Sequence, residues 1–265
     1  MFESFILGAV QGIAEWLPVS SEAMIVLVKN NFFPSGMNFS EMISFAIFLH
    51  LGTLLAASVY FRKKIINLVK NLFHYKKISK DQKNELNFII IATLISGVLG
   101  FSILKTIENY VSFFENEMVI NIVVAVFLLI TAFFLFLAER QKNIKTVILT
   151  KKKALITGIF QAFAAIPGIS RSGSTIAGMG LLGIKKEKVL ELSFILSIPL
   201  VLFANVILNY DMFSEINLSH IVALSSAFVF GILTIEILLR LVKKIRFSYF
   251  VGVFALLIIF LQIVL

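Results

Sequence analysis

The sequence predicts an all-α integral membrane protein, an inverted-topology repeat with six full transmembrane helices plus two re-entrant helix-loop-helix segments. Three observations carry this reading: the apolar content, the placement of basic residues, and a polar pattern that recurs about 150 residues later. Hydrophobic residues make up 59% of the 265 positions and mean hydropathy is +0.97, where a soluble domain is roughly half apolar. A spanning helix needs about 20 mostly apolar residues, so this supply fills six to eight helices and leaves only short loops. A single membrane domain, 1–265, follows, and a large extramembrane domain is excluded. The absence of cysteine removes disulfides, thiolate catalysis and Cys-ligated metals.

Taken in order, the first apolar stretch covers 2–28 and is broken at Leu17-Pro18-Val19-Ser20-Ser21. Its leading Met1-Phe2-Glu3 has an acid where a secretory signal has Lys or Arg, and no small-residue cleavage site follows, so a retained N-terminus is expected. Runs of about one bilayer crossing follow at 41–61, 87–104 and 118–138. A second broken stretch, 154–182, is interrupted by Pro167-Gly168-Ile169-Ser170-Arg171-Ser172-Gly173. Three more runs close the chain at 189–209, 219–239 and 247–265.

The net charge of +9 has a simpler reading than a nucleic-acid partner, which is not expected. Of the 24 Lys and Arg, 21 fall in four segments, 62–83, 140–153, 185–188 and 240–246, the sorting that places loops on the cytoplasmic side. Lys70, Lys76, Lys77, Lys80 and Lys83 are read as a solvated cytoplasmic loop near anionic lipid heads. The opposite connections carry Glu108, Glu115 and Glu117, then Asp211 and Glu215. Lys151–Lys153 precede 154–182 and Lys185, Lys186 and Lys188 follow it, so both ends of that stretch are cytoplasmic and it dips in without crossing.

The recurring pattern sets the other half. Gln11 with Ser20 and Gln161 with Ser170 share one spacing around a proline, and Ser44-Phe45 recurs as Ser193-Phe194. Each half is a broken segment plus three spans, repeat one about 1–139 and repeat two about 154–265. Three spans is an odd number, so the second copy is inverted and 2–28 dips in from outside. The alternative is a single kinked span over 2–28 with a cytoplasmic N-terminus.

Such repeats bring two half-helix N-termini together near the bilayer midplane, an anion site. Ser20-Ser21 and Ser170–Ser174 are expected to start half-helices with their hydroxyls capping free N–H groups. Arg171 supplies a fixed cation inside an apolar segment, where insertion costs about 2.5–3.5 kcal/mol, and its fork suits phosphate or carboxylate. A structural Arg171–Glu15 pair is the plainer alternative. Glu15 follows Gln11 by one helical turn, and its carboxylate suits either a divalent cation or a proton.

Two strings now carry a resemblance. Gln11-Gly12-x-x-Glu15-x-x-Pro18-x-Ser20-Ser21 and Pro167-Gly168-x-Ser170-Arg171-Ser172-Gly173-x-Thr175-Ile176 resemble the two signature motifs of the undecaprenyl-diphosphatase, or bacitracin-resistance, family. His50-Leu51-Gly52-Thr53-Leu54, Glu191-x-Ser193-Phe194 and Pro199 also look like family landmarks. The resemblance implies a multi-pass cell-membrane enzyme. It hydrolyses polyprenyl diphosphate to the monophosphate and inorganic phosphate at the outer face, which recycles a lipid carrier and confers bacitracin resistance. It implies Gln11 and Glu15 as a pair tied to a divalent cation, Mg2+ or Ca2+. Ser20 and Ser21 become a hydroxyl pair, with Ser21 the nucleophile, and Arg171, with Ser170, Ser172, Gly173 and Thr175, becomes the diphosphate clamp. The oligomeric state stays open, a homodimer included.

One departure matters. Family members commonly continue Ser-Ser-Thr-Gly-His, whereas here Ser20-Ser21 is followed by Glu22-Ala23-Met24, and Met24 takes no proton. The proton acceptor is then Glu15 or Glu22, unless activated water attacks directly with the serines as ligands. His50 lies inside an apolar run and is read as a packed, hydrogen-bonded histidine rather than a working group. His74 and His220 attract no functional role. A polyprenyl-phosphate flippase and a non-catalytic lipid-binding homologue stay open as other classes.

Overall fold

The computed structural model describes residues 1–33, 39–108, 117–141, 148–241 and 245–264, and every regular element among them is helical. In chain order these are α1 (Phe2–Ala14), α2 (Ser21–Phe32), α3 (Phe39–Tyr60), α4 (Arg62–Phe73), α5 (Lys80–Glu108), α6 (Glu117–Glu139), α7 (Lys151–Ala162), α8 (Arg171–Leu181), α9 (Lys186–Leu208), α10 (Leu218–Leu241) and α11 (Phe247–Val264). Among the described residues, five stretches are long and apolar enough to cross a membrane: Glu41–Tyr60, Lys80–Ile107, Met118–Glu139, Lys186–Leu208 and Leu218–Arg240. They cover five of the six expected spans. The sixth, 247–265, is helical as α11 but is shorter as an apolar helix, Phe247–Phe260, and Leu265 lies outside the described residues. Glu115 lies outside them as well.

Both broken stretches break where the sequence places the proline. α1 and α2 are separated by Glu15–Ser20, and α7 and α8 by a 3-10 turn, Phe163–Ala165, and a loop ending at Ser170. The basic segment 62–83 departs from the expected loop, because Arg62–Phe73 is helical. Ile65, Leu68, Val69 and Leu72 recur at helical spacing, so the lysines occupy one face and the apolar residues another. Leu68 is buried with Leu86 and Ile195, while Ile66, Val69, Leu72 and Phe73 are exposed.

The packing sets the two breaks side by side. α1 lies along α10 and α7 along α5, α6 packs on both α11 and α8, and α3 meets α9 and α10. Glycine permits the closest approaches. A Cβ on Gly12 would sit 2.7 Å from the Ala227 carbonyl oxygen of α10, and one on Gly178 would sit 2.7 Å from the Phe160 ring of α7. Trp16, just past α1, is wholly buried, donates to the Gly231 carbonyl at 3.0 Å and meets Phe194 edge to face. The outward faces of the long helices carry Leu94, Val98, Phe133, Leu202, Leu233 and Val253 in the open, the apolar surface a bilayer covers.

Candidate active site

The first break delivers a carboxylate and two hydroxyls. Glu15 caps the C-terminus of α1 and Ser21 opens α2. Between them Ser20 has φ 61°, the one non-glycine residue with positive φ among the described residues, a conformation an L-residue holds only under constraint from its surroundings. This overturns one expectation. Ser20 stands at the N-cap of α2 but makes no capping hydrogen bond through its side chain, because its backbone is outside the extended region that aims an N-cap hydroxyl at the helix.

The second break behaves as expected. Ser170 has extended backbone, and its Oγ accepts the Gly173 N–H at 3.1 Å. The next residue, Arg171, therefore begins α8 and points across to the first break. Its Nη2 pairs with Glu15 Oε1, and its Nη1 donates to the Ser193 carbonyl at 3.0 Å. Ser172 Oγ donates to the Leu17 carbonyl at 2.8 Å, binding the two loops together.

Glu15 is the hub. Its Oε2 lies 2.9 Å from Gln11 Nε2, 2.8 Å from Ser21 Oγ and 3.0 Å from His50 Nε2. With Arg171 on Oε1, three side-chain donors and the imidazole edge of His50 surround a carboxylate that has about four acceptor positions. The carboxylate is buried, and this ring of donors offsets the cost of keeping it there.

His50 is the residue that sequence reasoning undervalued. It projects from α3 with Nε2 at 3.3 Å from Ser21 Oγ, and its Nδ1 lies 2.7 Å from the Ala46 carbonyl oxygen. It is packed and hydrogen-bonded as read, yet it stands inside the cluster rather than apart from it. Met24, where the family histidine was missed, packs against the main apolar core instead. The sequence signal for His50 is its place deep within a spanning run, 41–61, whereas His220 stands at the very start of its own.

Glu15, Ser20, Ser21, Glu22, His50, Ser170, Arg171 and Ser172 line one small cavity. At about 20 Å³ it has room for roughly one water molecule. Glu22, His50 and Arg171 also line a larger, mainly apolar groove of about 150 Å³ walled by α5 and α9, so the polar pocket opens onto a path suited to a lipid tail. Three predicted residues do not line the pocket, and one of them, Gln11, reaches it only through its hydrogen bond to Glu15. Gly173 faces Thr131 and Pro18, and Thr175, one turn beyond Arg171, donates to the Arg171 carbonyl at 2.7 Å and to Gln161 Oε1 at 3.3 Å.

The donor set does not fit a resident metal held by the protein alone. Among the described residues no group of three or more His, Asp or Glu is placed to hold an ion. Both oxygens of Glu15 are engaged, and Gln11 leaves a single oxygen, Oε1, without a partner there. Mg2+ or Ca2+ takes six or more oxygen ligands, and the side chains here do not complete such a shell.

Comparison with known proteins decides the lineage. The family described as Bacitracin resistance protein BacA matches residues 4–260. The chain belongs to this BacA family. It is 38% identical to the undecaprenyl-diphosphatase of Methanococcoides burtonii over 98% of each chain. It is 35% identical to that of Methanosphaera stadtmanae over 100% of this chain and 99% of the relative. For that of Thermosipho africanus the identity is 37%, over 92% of this chain and 94% of the relative. As a BacA family member with five span-capable helices it is a multi-pass membrane protein.

Proposed function

We propose that this chain is a membrane phosphatase that hydrolyses undecaprenyl, or another polyprenyl, diphosphate to the monophosphate and inorganic phosphate, recycling the lipid carrier as its similarity to undecaprenyl-diphosphatases indicates. The observation that carries the mechanism is the meeting of Ser21, Glu15 and Arg171 where the two broken helices face each other. Ser21 Oγ attacks the terminal phosphorus in line, the bond from that phosphorus to the bridging oxygen breaks, and the lipid monophosphate leaves into the bilayer. Water then hydrolyses the phosphoserine, freeing inorganic phosphate and restoring Ser21.

Arg171 is the clamp in this reading. In the free protein it pairs with Glu15, and an arriving diphosphate competes for its second face while the N–H groups at the start of α8 hold phosphoryl oxygens. Ser170 and Ser172 fix that loop rather than grasp substrate, since their hydroxyls hold Gly173 and Leu17. Ser20 shapes the loop through its backbone, and Glu22, on the wall shared by pocket and groove, meets the headgroup. A divalent cation, Mg2+ or Ca2+, would arrive with the substrate, where it would offset charge on the diphosphate oxygens.

The membrane arrangement supporting this reading is six spans with α1–α2 and α7–α8 as re-entrant pairs, repeat one over 1–139 and repeat two, inverted, over 154–265. The partner exchange between halves, α1 on α10 against α7 on α5, and the basic loops on one side favour it. The headgroup pocket then opens outward, at the cell-membrane face.

The test is phosphate release from a long-chain polyprenyl diphosphate by the purified protein in detergent, with and without Mg2+ or Ca2+, against Ser21→Ala. Release lost in the variant is expected. Lipid bound without release in the parent would favour a carrier instead.

A further inference from the structure

We infer that His50 is the catalytic base of this site, the group that takes the Ser21 proton; the inference rests on the serine attack proposed above. Three facts lead to it. First, the obvious acceptor is committed. Glu15 is ion-paired to Arg171 through Oε1, and its Oε2 already receives Gln11. Protonating it would break the pair that holds Arg171 at the site.

Second, the imidazole is oriented for the task. A carbonyl oxygen only accepts, so the 2.7 Å contact to Ala46 puts the proton on Nδ1. In the neutral ring Nε2 then carries the lone pair, and it faces Ser21 Oγ at 3.3 Å. The Ser21 hydrogen can swing between Glu15 Oε2 at 2.8 Å and His50 Nε2 without either heavy atom moving.

Third, the product of the transfer is accommodated. As the Oγ–P bond forms and the bridging P–O bond breaks, the proton passes from Oγ to Nε2. The imidazolium N–H then donates to Glu15 Oε2 at 3.0 Å, replacing the hydrogen bond Ser21 gave up. Glu15 therefore keeps three donors before and after the step, from Gln11, Arg171 and first Ser21, then His50. In the second half-reaction His50 returns its proton to Ser21 Oγ as that oxygen leaves phosphorus, while the attacking water gives up its own proton to the departing phosphate or to solvent. Glu15, Glu22 and Arg171 are the charged groups lining the same pocket, and Met24 is absent from its wall.

The decisive measurement is turnover of the full-length protein in detergent with a polyprenyl diphosphate. His50→Gln is expected to lower kcat by about 10²–10⁴ fold, the usual contribution of general base catalysis, with lipid binding within about twofold of the parent. His50→Ala is expected to regain part of the loss when imidazole or 4-methylimidazole is added, the more basic amine restoring more. A kcat for His50→Gln within about tenfold of the parent, with Ser21→Ala inactive, would overturn the base assignment while leaving the phosphatase reading intact. Absence of amine rescue in a His50→Ala protein that keeps the parent's thermal transition would overturn it too. A parent that releases no phosphate would sink both readings.

Discussion

The two breaks are built from one sequence pattern and do different work. In each, a glutamine on the entering half-helix precedes a serine that opens the leaving one. At the first break Gln11 donates to Glu15 at 2.9 Å, which turns its charge toward Ser21, His50 and Arg171. At the second, Gln161 donates to Ser96 at 3.0 Å and accepts from Thr175, a neutral network facing α5. The two breaks thus carry unequal chemistry, because the first holds a carboxylate where the second holds none, and the second holds the guanidinium. The active pair exists only when both breaks are folded against each other.

That asymmetry predicts a ranked set of losses. The largest belongs to the first break. Ser21→Ala removes the nucleophile and should lower kcat by at least about a thousandfold, read as phosphate release per purified protein. A residual rate near the parent's would mean that water attacks directly and the serine only binds.

Next comes the link between the breaks. Arg171→Lys keeps a charge but loses the planar fork that serves Glu15 and the Ser193 carbonyl together, so the replacement is not conservative. It should raise the dissociation constant for polyprenyl diphosphate and lower kcat, each by about tenfold or more. Unchanged binding, measured by titration with the lipid, would remove Arg171 from the clamp.

The second break should answer in stability rather than rate. Gln161→Ala takes one hydrogen bond from Ser96 and one from Thr175 and leaves buried groups short of partners, a cost of about 1–3 kcal/mol. The thermal transition should fall while kcat stays within about threefold. A hundredfold loss of kcat would instead put the second glutamine in the chemistry and erase the contrast between the halves.

The spans were legible in the sequence because lipid imposes length and composition on any helix that crosses it. Pro18 and Pro167 marked both breaks, and Glu15, Ser21 and Arg171 stood out because charge or clustered hydroxyls inside apolar sequence are conspicuous. His50 was visible but undervalued. It joins Ser21 from a helix 29 positions away, and no local spacing records a meeting made by packing α3 against α1 and α2. Basic 62–83 misled for the opposite reason: its charge was plain, whereas Ile65, Leu68 and Leu72 at helical spacing mark a helix that docks through Leu68. Gly173 shares the motif of Arg171 but not its face, since a helix turns residues two apart onto different sides, while Thr175, one turn on, has its hydroxyl held by the Arg171 carbonyl and Gln161.

The smallest effect separates the two serines at the helix starts. Ser170→Ala removes a hydroxyl that accepts the Gly173 N–H, and loss of an N-cap costs typically about 1 kcal/mol, roughly 2–4 °C in Tm for a chain of this size. Ser20 makes no such bond, so Ser20→Ala has no cap to lose and should move Tm less than its counterpart does. Ser20→Gly should lie above Ser20→Ala, because glycine adopts φ 61° without the penalty an L side chain incurs there. The order Ser20→Gly, Ser20→Ala, Ser170→Ala in falling Tm, by thermal melts of the three purified variants, is the expected result. A larger loss for Ser20→Ala than for Ser170→Ala would mean that the Ser20 hydroxyl, not its backbone, holds the first loop in place.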